Sequence, residues 1–289
     1  MLNIAIATKV NYIILNSEKW QLYMTHNPQT QESPQELTLA QGFNKYFKVC
    51  VADTPALREE AFKIRHDVYC EELGWEGLKA NGFETDEYDN YSYHVVLKHN
   101  ASGTYAGSVR IVIPPAAHPQ LHTPFEDHCL SSLKPDLVSM DKYPKGSFGE
   151  VSRIAVPRWF RRRPNEAEHP YIINKVSESH HLSAEERRHF PNIAIGLYLS
   201  AVAMSKICQH SAMFVMVEPR LSRHLKRVGL PFEQVGDVIE YHGSRALFRL
   251  QSQDYSRALK YEVKELFDVI ERDLRKQMTL IPYWQPTTP

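Results

Sequence analysis

With 289 residues, of which 43% are hydrophobic, the chain can bury one large core or a core with an appendage, which excludes two full domains. Lys and Arg total 34, as do Asp and Glu, so no net field attracts nucleic acid or an anionic membrane, and recognition by charge must be local. The cysteines form no CxxC pair and no apolar run reaches the ~20 residues that span a bilayer, so we expect a cytoplasmic protein without a disulfide framework or transmembrane segment.

The chain opens with a polar arm. Residues 1–42 are rich in Gln, Thr, Ser and Asn and predict a flexible segment, in which Met24 is an alternative start. FKVCV at 47–51 alternates like a strand, and Thr54-Pro55 then opens a helix whose apolar residues recur at three-to-four spacing as far as Leu73. The polar residues from 74 to 90 predict a loop.

Strands and helices mix in the rest of the chain. Residues 93–98 and 104–113 are β-rich runs joined by Asn100-Ala-Ser-Gly103, which is typical of a hairpin turn. The following elements are predicted in this order: a strand (147–156), a polar insertion (158–190), a long apolar helix (193–207), a strand (213–217), a short basic helix (222–228), two strands with a turn at His242-Gly243 (237–250), and a charged helix (255–276). This order predicts a mixed α/β (α+β) fold with a mainly antiparallel sheet.

Charged and aromatic residues recur at fixed spacing around these elements. An ExDxxD motif lies in the loop after the first helix, and an ExSR motif lies on the third strand. Each motif alone is common, and the ordered set is what carries specificity. The set consists of Arg65, Tyr69 and Trp75, then Glu84, Asp86 and Asp89, then Arg110, and then Glu150, Ser152 and Arg153.

This ordered set resembles the signature of acyl-homoserine-lactone synthases over roughly residues 47–156, with Tyr69 where many members carry Phe. The extra length, and the run from Glu150 to Val156 followed by Phe160 and three arginines, look more like the PEP-CTERM/exosortase-associated acyltransferases, with N-acyl amino acid synthases as neighbours. The resemblance implies the GNAT acyl-CoA N-acyltransferase fold, a central mixed, mainly antiparallel twisted sheet flanked by helices. It predicts a GNAT-like domain at 43–252, with the insertion at about 158–190 and a C-terminal helix and tail at 253–289.

A small acceptor that carries both an ammonium and a carboxylate would complement this set. Asp86 and Asp89 suit the ammonium, Arg110 or Arg153 suits the carboxylate, and Arg65 and Trp75 complete the predicted substrate site. Acyl transfer also needs an amine that has lost its proton, and a carboxylate is the natural base. The predicted catalytic residues are Glu150 as the first choice of base, Glu84 as the second, and Arg153. The alternative is a structural ion-pair network in which Glu150 only orients an arginine.

The resemblance also implies where the thioester binds. In GNAT folds the oxyanion donor is a backbone N–H where the central strand splays from its neighbour, which here corresponds to Ile154, Ala155 and Val156. The donor phosphate then lies on the loop and helix N-terminus that follow. No glycine-rich turn is present there, whereas arginines accumulate, which favours the acidic acyl carrier protein over coenzyme A as a partner. The predicted docking residues are Arg158, Arg161, Arg162, Arg163, Arg223, Lys226 and Arg227, with solvated basic surface as the alternative.

The sequence therefore predicts an N-acyltransferase that moves a fatty acyl group from an acyl carrier protein (or acyl-CoA) thioester to the amino group of an amino acid or related small amine. We expect direct attack without a covalent enzyme intermediate, no permanently bound cofactor, no metal, since the 14 histidines form no helix-face ligand pair, and no nucleic-acid partner. Two alternatives stay open: an acyl-homoserine-lactone (autoinducer) synthase, and a non-catalytic GNAT-like binding or regulatory module. The 158–190 insertion is predicted to be a lid or a carrier dock, and the oligomeric state is left open.

Overall fold

Eight strands form one sheet in the computed structural model, which describes residues 37–161, 189–241 and 243–281. The strands are β1 (Phe47–Val51), β2 (Ser92–His99), β3 (Tyr105–Val112), β4 (Phe148–Ala155), β5 (Ala212–Val217), β6 (Glu233–Gln234), β7 (Ile239–Glu240) and β8 (Ser244–Gln251). Their order is β1-β2-β3-β4-β5-β8-β6, with β7 beside β8. Every neighbouring pair is antiparallel except β4 and β5, which are parallel. The predicted mixed, mainly antiparallel sheet is confirmed.

Helices flank this sheet. The α-helices in the described ranges are α1 (Leu39–Tyr46), α2 (Pro55–Arg65), α3 (Pro124–His128), α4 (Pro191–Ile207), α5 (Pro219–Arg227) and α6 (Tyr261–Met278). A π-helical segment, His66–Glu72, continues α2 without a break. Short 3₁₀ turns lie at Glu87–Tyr91, Leu130–Ser132, Met140–Lys142, Arg158–Phe160 and Ser252–Asp254. Of the helices described, none combines the length and apolar composition needed to cross a bilayer.

Local chemistry explains most element boundaries. Thr54 caps α2, since its hydroxyl accepts the Leu57 N–H at 3.3 Å, and Pro55 occupies the first turn, where its missing N–H costs nothing. Gly103 takes φ +71° in the predicted hairpin turn. Two predicted starts were wrong. The basic helix begins at Pro219 because that proline also suits a first turn, and α6 begins at Tyr261 because a 3₁₀ turn and further turns occupy 252–258.

The larger core lies between one face of the sheet and α1, α4 and α6. Apolar side chains of α4 and α6 are almost wholly buried there, for example Leu197 and Phe267. Helix α6 also covers the edge strand β1, since the Gln277 side chain accepts the Val51 N–H at 2.9 Å and donates to the Val49 carbonyl at 3.0 Å. The C-terminal helix therefore contributes to the same core as the sheet.

Close packing of α4 against α1 yields a stability prediction. A Cβ added at Gly196 would meet the Phe43 ring at 2.4 Å, where both residues are enclosed by core. We expect Gly196→Ala to lower the free energy of unfolding by about 1–3 kcal/mol through overpacking, as measured by urea denaturation. Gly77→Ala is the matched control, because nothing lies within 4 Å of its added Cβ. Equal stabilities of the two variants would contradict the packing described.

The opposite face of the sheet carries a smaller core. Phe148, Phe214 and Leu247 pack there against Phe125 of α3, within the long connection from β3 to β4. Residues 39–42, predicted to belong to a flexible arm, instead begin α1, because Thr38 caps the helix and Ala40 packs in the larger core. The rest of the predicted arm up to residue 36, the insertion from 162 to 188 with Arg162 and Arg163, and the tail from 282 lie outside the described residues.

Candidate active site

The parallel pair of strands separates partway along its length. Pairing of β4 with β5 runs from Phe148 beside Ala212 to Val151 beside Val215. Strand β4 nevertheless continues to Ala155, and β5 continues to Val217. The two strands therefore diverge beyond Val151, where the sequence analysis expects the thioester site, and backbone groups of β4 border the gap.

An irregularity in β4 lies at this gap. Arg153 takes φ +51°, which is uncommon for a residue with a side chain and is typical of functional sites. Register against β3 shifts here, since Arg110 pairs with Ser152 but Ser108 pairs with Ala155, which gives β4 one extra residue. The Tyr69 hydroxyl donates to the Ile154 carbonyl at 2.8 Å and so holds the bulged peptide in place.

Two buried arginines tie the ExDxxD motif to the sheet. Arg65 forks onto both oxygens of Asp89, at 2.6 and 3.1 Å, and also pairs with Glu84. Arg110 contacts Asp89 at 2.8 Å and pairs with Asp86. Both arginine side chains are 1% exposed, so these charges stabilise one another inside the protein rather than in water.

Asp89 is the centre of this network. Besides the two arginines, it accepts the backbone N–H of Asp86 at 2.9 Å. Burial alone raises the pKa of Asp89, but Arg65 and Arg110 outweigh it and hold the pKa far below its usual range. Asp89 and the two arginines are thus paired with one another. Asp86, whose side chain is 17% exposed, is the more accessible acid of the motif.

Arg153 extends the network towards solvent. Its Nη2 lies 2.8 Å from Glu76 and 3.5 Å from Asp86, and its Nε lies 3.2 Å from Glu84. The guanidinium also lies over the Tyr69 ring, 5.4 Å from the centroid. With 21% of its side chain exposed, Arg153 is far more accessible than Arg110, so it is the better placed of the two predicted carboxylate binders.

The two candidate bases have opposite environments. Burial raises the pKa of Glu84, but Arg65 and Arg153 outweigh it and hold the pKa below its ordinary value. Burial raises the pKa of Glu150 to about 8, although the Phe125 N–H, which donates to Oε2 at 2.8 Å, and Arg110 act in the other direction. Glu150 therefore attracts a proton near neutral pH while Glu84 stays ionised, a contrast typical of acid–base sites.

Comparison with known proteins agrees with this geometry. Residues 64–167 match the acetyltransferase (GNAT) domain family. That range contains the last two residues of α2, the π-helical segment, the ExDxxD motif, the hairpin and β4, which together carry the site. The chain is 25% identical over 177 residues to an acyl-homoserine-lactone synthase of Vibrio anguillarum, covering 61% of this chain and 74% of that protein. It is 25% identical over 192 residues to one of Aliivibrio fischeri, covering 64% and 82%.

Solved structures with the same fold support the match. TofI, in a ternary complex with an inhibitor and MTA, superposes with a TM-score of 0.51 at 16% identity, covering 75% of this chain and 96% of that chain. The AHL synthase LasI superposes with a TM-score of 0.50 at 14% identity, covering 74% and 94%. The predicted GNAT fold is confirmed, and the predicted N-acyltransferase class agrees with these relatives. The PEP-CTERM/exosortase association stays a prediction.

Several residues of the acyltransferase-like site escaped the sequence analysis. Glu76 directly follows Trp75 but belongs to no motif, and it accepts a hydrogen bond from Arg153 at 2.8 Å. Ser152 was named within the ExSR motif without a role, and its hydroxyl accepts the Arg110 Nε–H at 3.0 Å. His94, on β2, is 2% exposed and lies 3.5 Å from Asp89, and burial lowers its pKa to about 3. Arg245, on β8, lies 5.0 Å from the centre of the Trp75 ring. Nothing in a single sequence marks a lone strand arginine as part of a site.

The predicted carrier-docking residues divide into two groups. Arg158 and Arg161 are half-buried after β4, and Arg161 pairs with Glu72. Arg223, Lys226 and Arg227 are exposed on α5, at spacing that places them on its outer side. Helix α5 therefore presents a basic surface, whereas Arg161 has a structural partner.

Among the described residues, one group could hold a metal ion by distance: His66, Asp67 and Glu71, whose ligand atoms lie within 4.8 Å of one another. His66 Nε2 already accepts the Lys79 N–H at 3.3 Å, and Glu71 is largely exposed. The group is separate from the network around Asp89 and plays no part in the function proposed below.

Proposed function

We propose that the chain transfers a fatty acyl group from an acyl carrier protein (or acyl-CoA) thioester to the amino group of an amino acid or related small amine. The observation that supports this best is the position of Glu150. A buried carboxyl whose pKa is about 8 lies on β4 just before the strand leaves β5, on the same side as the arginine-carboxylate network. A thioester in the gap and an amine above the network would meet beside this base.

The proton balance of the proposed acyl transfer defines the role of each catalytic group. The acceptor enters as an ammonium and gives one proton to the Glu150 carboxylate, directly or through one water. The nitrogen then attacks the thioester carbonyl, and the oxyanion faces backbone N–H groups of the bulged segment from Ile154 to Val156. When the intermediate collapses, the C–S bond breaks and the thiolate takes a second proton from nitrogen. One N–H remains in the amide, and Glu150 returns its proton to solvent.

The acceptor site follows from the exposure of the charged residues. Asp86 is the accessible acid for the ammonium, Arg153 is the more accessible of the two predicted guanidiniums and lies 3.5 Å from Asp86, and Trp75 forms a wall beside Tyr69, with ring centroids 5.9 Å apart. Arg65, Arg110, Asp89 and Glu84 hold these groups in place. Preorganisation of this kind keeps charged side chains from relaxing when substrate binds.

The donor is expected to dock on the basic surface of α5. The variant Arg223→Gln/Lys226→Gln/Arg227→Gln should raise KM for an acyl carrier protein thioester by about 10-fold, because each exposed ion pair contributes roughly 0.5 kcal/mol. KM for acyl-CoA and kcat should not change, and high salt should remove the difference between variant and wild type. Steady-state kinetics with both donors measures this.

The matched control removes exposed cations elsewhere, as in Arg272→Gln/Lys276→Gln on α6, and should leave both KM values unchanged. An α5 variant with an unaltered KM for the carrier thioester at low salt would show that the carrier docks on another surface.

A second product class is favoured by the curated relatives, which are acyl-homoserine-lactone synthases. Lactone formation requires an acceptor with a leaving group on its side chain, such as a sulfonium, rather than an extra catalytic residue. The two readings differ in the product, since a lactone is lighter than the corresponding hydroxy acid by one water and is opened by mild base.

Mass spectrometry of lipid extracts tests the proposal. A host that expresses the wild type should contain new N-acyl species, and the same host with Glu150→Gln should contain none. The fragment ions identify the acceptor and distinguish an acid from a lactone. Identical extracts, with acyl carrier protein and amino acids supplied to the lysate, would favour the non-catalytic binding module.

A further inference from the structure

A stack of rings and guanidiniums lines one side of the site. Arg153 lies over Tyr69, Tyr69 lies beside Trp75, and Arg245 lies over Trp75, with separations of 5.4, 5.9 and 5.0 Å between centres. The two guanidiniums thus flank one aromatic pair. Arg153 has three carboxylates within 3.5 Å, whereas Arg245 has none at salt-bridge distance among the residues that the structure describes.

Arg245 points into the site from β8. Its Nε is buried and has no hydrogen-bond partner in the described part of the chain. Burial raises the pKa of the Tyr69 and Tyr198 phenols and of the Cys129 thiol, and Arg245 is one of the positive charges that oppose this rise at each of the three side chains. Arg245 is half-buried and its Nε lacks a partner among the described residues, so a ligand carboxylate that reaches the guanidinium would satisfy this donor.

The sheet places Arg245 on the same side as Glu150. Side chains alternate along β8, and Leu247 packs with Phe125 and Phe148 in the smaller core, so Arg245 shares that face. Glu150 contacts Phe125 on this face as well. Helix α4, whose N-terminus is where GNAT folds hold the donor phosphate, packs in the larger core on the other face.

We propose that Arg245 binds the carboxylate of the acyl acceptor, which makes that acceptor an α-amino acid or a close relative rather than a simple amine. This rests on the proposed function. Nε and one Nη of a guanidinium form a side-on fork for a carboxylate, and Nε is the atom that lacks a partner. The Trp75 ring packs against the guanidinium, and Asp86 binds the ammonium, whose proton Glu150 then accepts.

The test uses calorimetric titration of the full chain with two product-like probes, N-decanoylglycine and N-decanoylglycinamide. The wild type should bind the acid at least 10-fold more tightly than the amide. Arg245→Met should reduce this preference to about 2-fold or less, and Arg245→Lys should give an intermediate value, because lysine keeps the charge but not the fork. Arg272→Met, which removes an exposed arginine of α6, should retain the full preference.

Several results would overturn the proposal. One is a preference for the acid that does not depend on Arg245, and another is equal or absent binding of both probes to the wild type. A third is that Arg245→Met keeps the preference for the acid but loses binding to 4′-phosphopantetheine, which would assign Arg245 to the donor. Thermal unfolding of each variant identifies any that do not fold, and the lysine variant then decides. A chain that shows the Arg245-dependent preference but forms no N-acyl product would contradict the proposed function and would still assign Arg245 to a carboxylate ligand.

Discussion

Replacing Glu150 with Gln is expected to lower kcat by about 10²–10⁴-fold, the usual contribution of a general base. The amide cannot accept the ammonium proton, yet it can still accept the Phe125 N–H that now holds Oε2 at 2.8 Å. KM for both substrates should change little, since Glu150 is 3% exposed and its proposed role is to accept a proton rather than to bind the acceptor. Stopped-flow or steady-state thiol release measures the effect.

The same residue should set the pH dependence of the rate. With a pKa of about 8, Glu150 is mostly protonated at neutral pH, so kcat/KM should rise with pH and level off above about 8. The variant Glu71→Gln, which removes an exposed carboxylate, is the control and should follow the wild type. A Glu150→Gln variant with the wild-type rate and profile would remove Glu150 from the mechanism.

Stability provides an independent check on the same carboxyl. Its pKa rises from an ordinary value of 4.5 to about 8 on folding, so between these values the folded chain holds more protons than the unfolded chain. Its contribution to stability therefore falls as the pH rises through this range. Urea denaturation should show that Glu150→Gln gains stability relative to the wild type between pH 5 and pH 8.5, and a difference independent of pH would contradict the assigned environment.

Replacing Arg110 with Met is expected to lower the free energy of unfolding by about 3–5 kcal/mol, the cost of leaving a buried charge without its partner. Arg110 is 1% exposed and holds Asp86 and Asp89 together with the Ser152 hydroxyl. Equilibrium denaturation in urea at pH 7 measures the loss. Activity should disappear at temperatures where the variant is still folded, because Asp86 and the loop that carries it are no longer fixed.

The control for this prediction is an exposed ion pair on α6. Lys264→Met breaks the contact with Asp268, whose side chain is 51% exposed, and should cost no more than about 0.5 kcal/mol. The pKa of Asp89 is lowered in the folded chain, so the contribution of the network is present above the ordinary pKa of 3.8 and is lost as the pH falls below it. A cost for Arg110→Met as small as that of the control would show that the network does not stabilise the fold.

Sequence alone was sufficient for the elements whose signals are local. The cap Thr54-Pro55, the hairpin turn at Gly103 and the apolar helix that became α4 lie within two residues of their predicted positions, because caps, turns and periodicity act through neighbouring residues. The change from α- to π-helix at His66 was not predicted, since its apolar spacing is compatible with both.

Part of the site could be predicted from the sequence for the same reason. Charged residues at fixed spacing pointed to one cavity, and the structure brings Arg65, Glu84, Asp89, Arg110 and Arg153 within direct contact of one another. Which of these residues hold the network together and which can contact substrate could not be predicted from the sequence, because the difference depends on burial. Arg110 is enclosed and Arg153 is accessible, although both are arginines on neighbouring strands. Arg245 reaches the site only through pairing of β8 with β5, which no local pattern reveals.

The proposed reaction requires a thioester and an amine to meet in the gap between β4 and β5. The most direct measurement incubates the purified chain with an acyl carrier protein thioester and a panel of amino acids, and quantifies free thiol and N-acyl product together. We expect equal amounts of the two, both dependent on added amino acid and both abolished by Glu150→Gln. Thiol release without N-acyl product, or neither product with any acceptor and donor, would contradict this reaction.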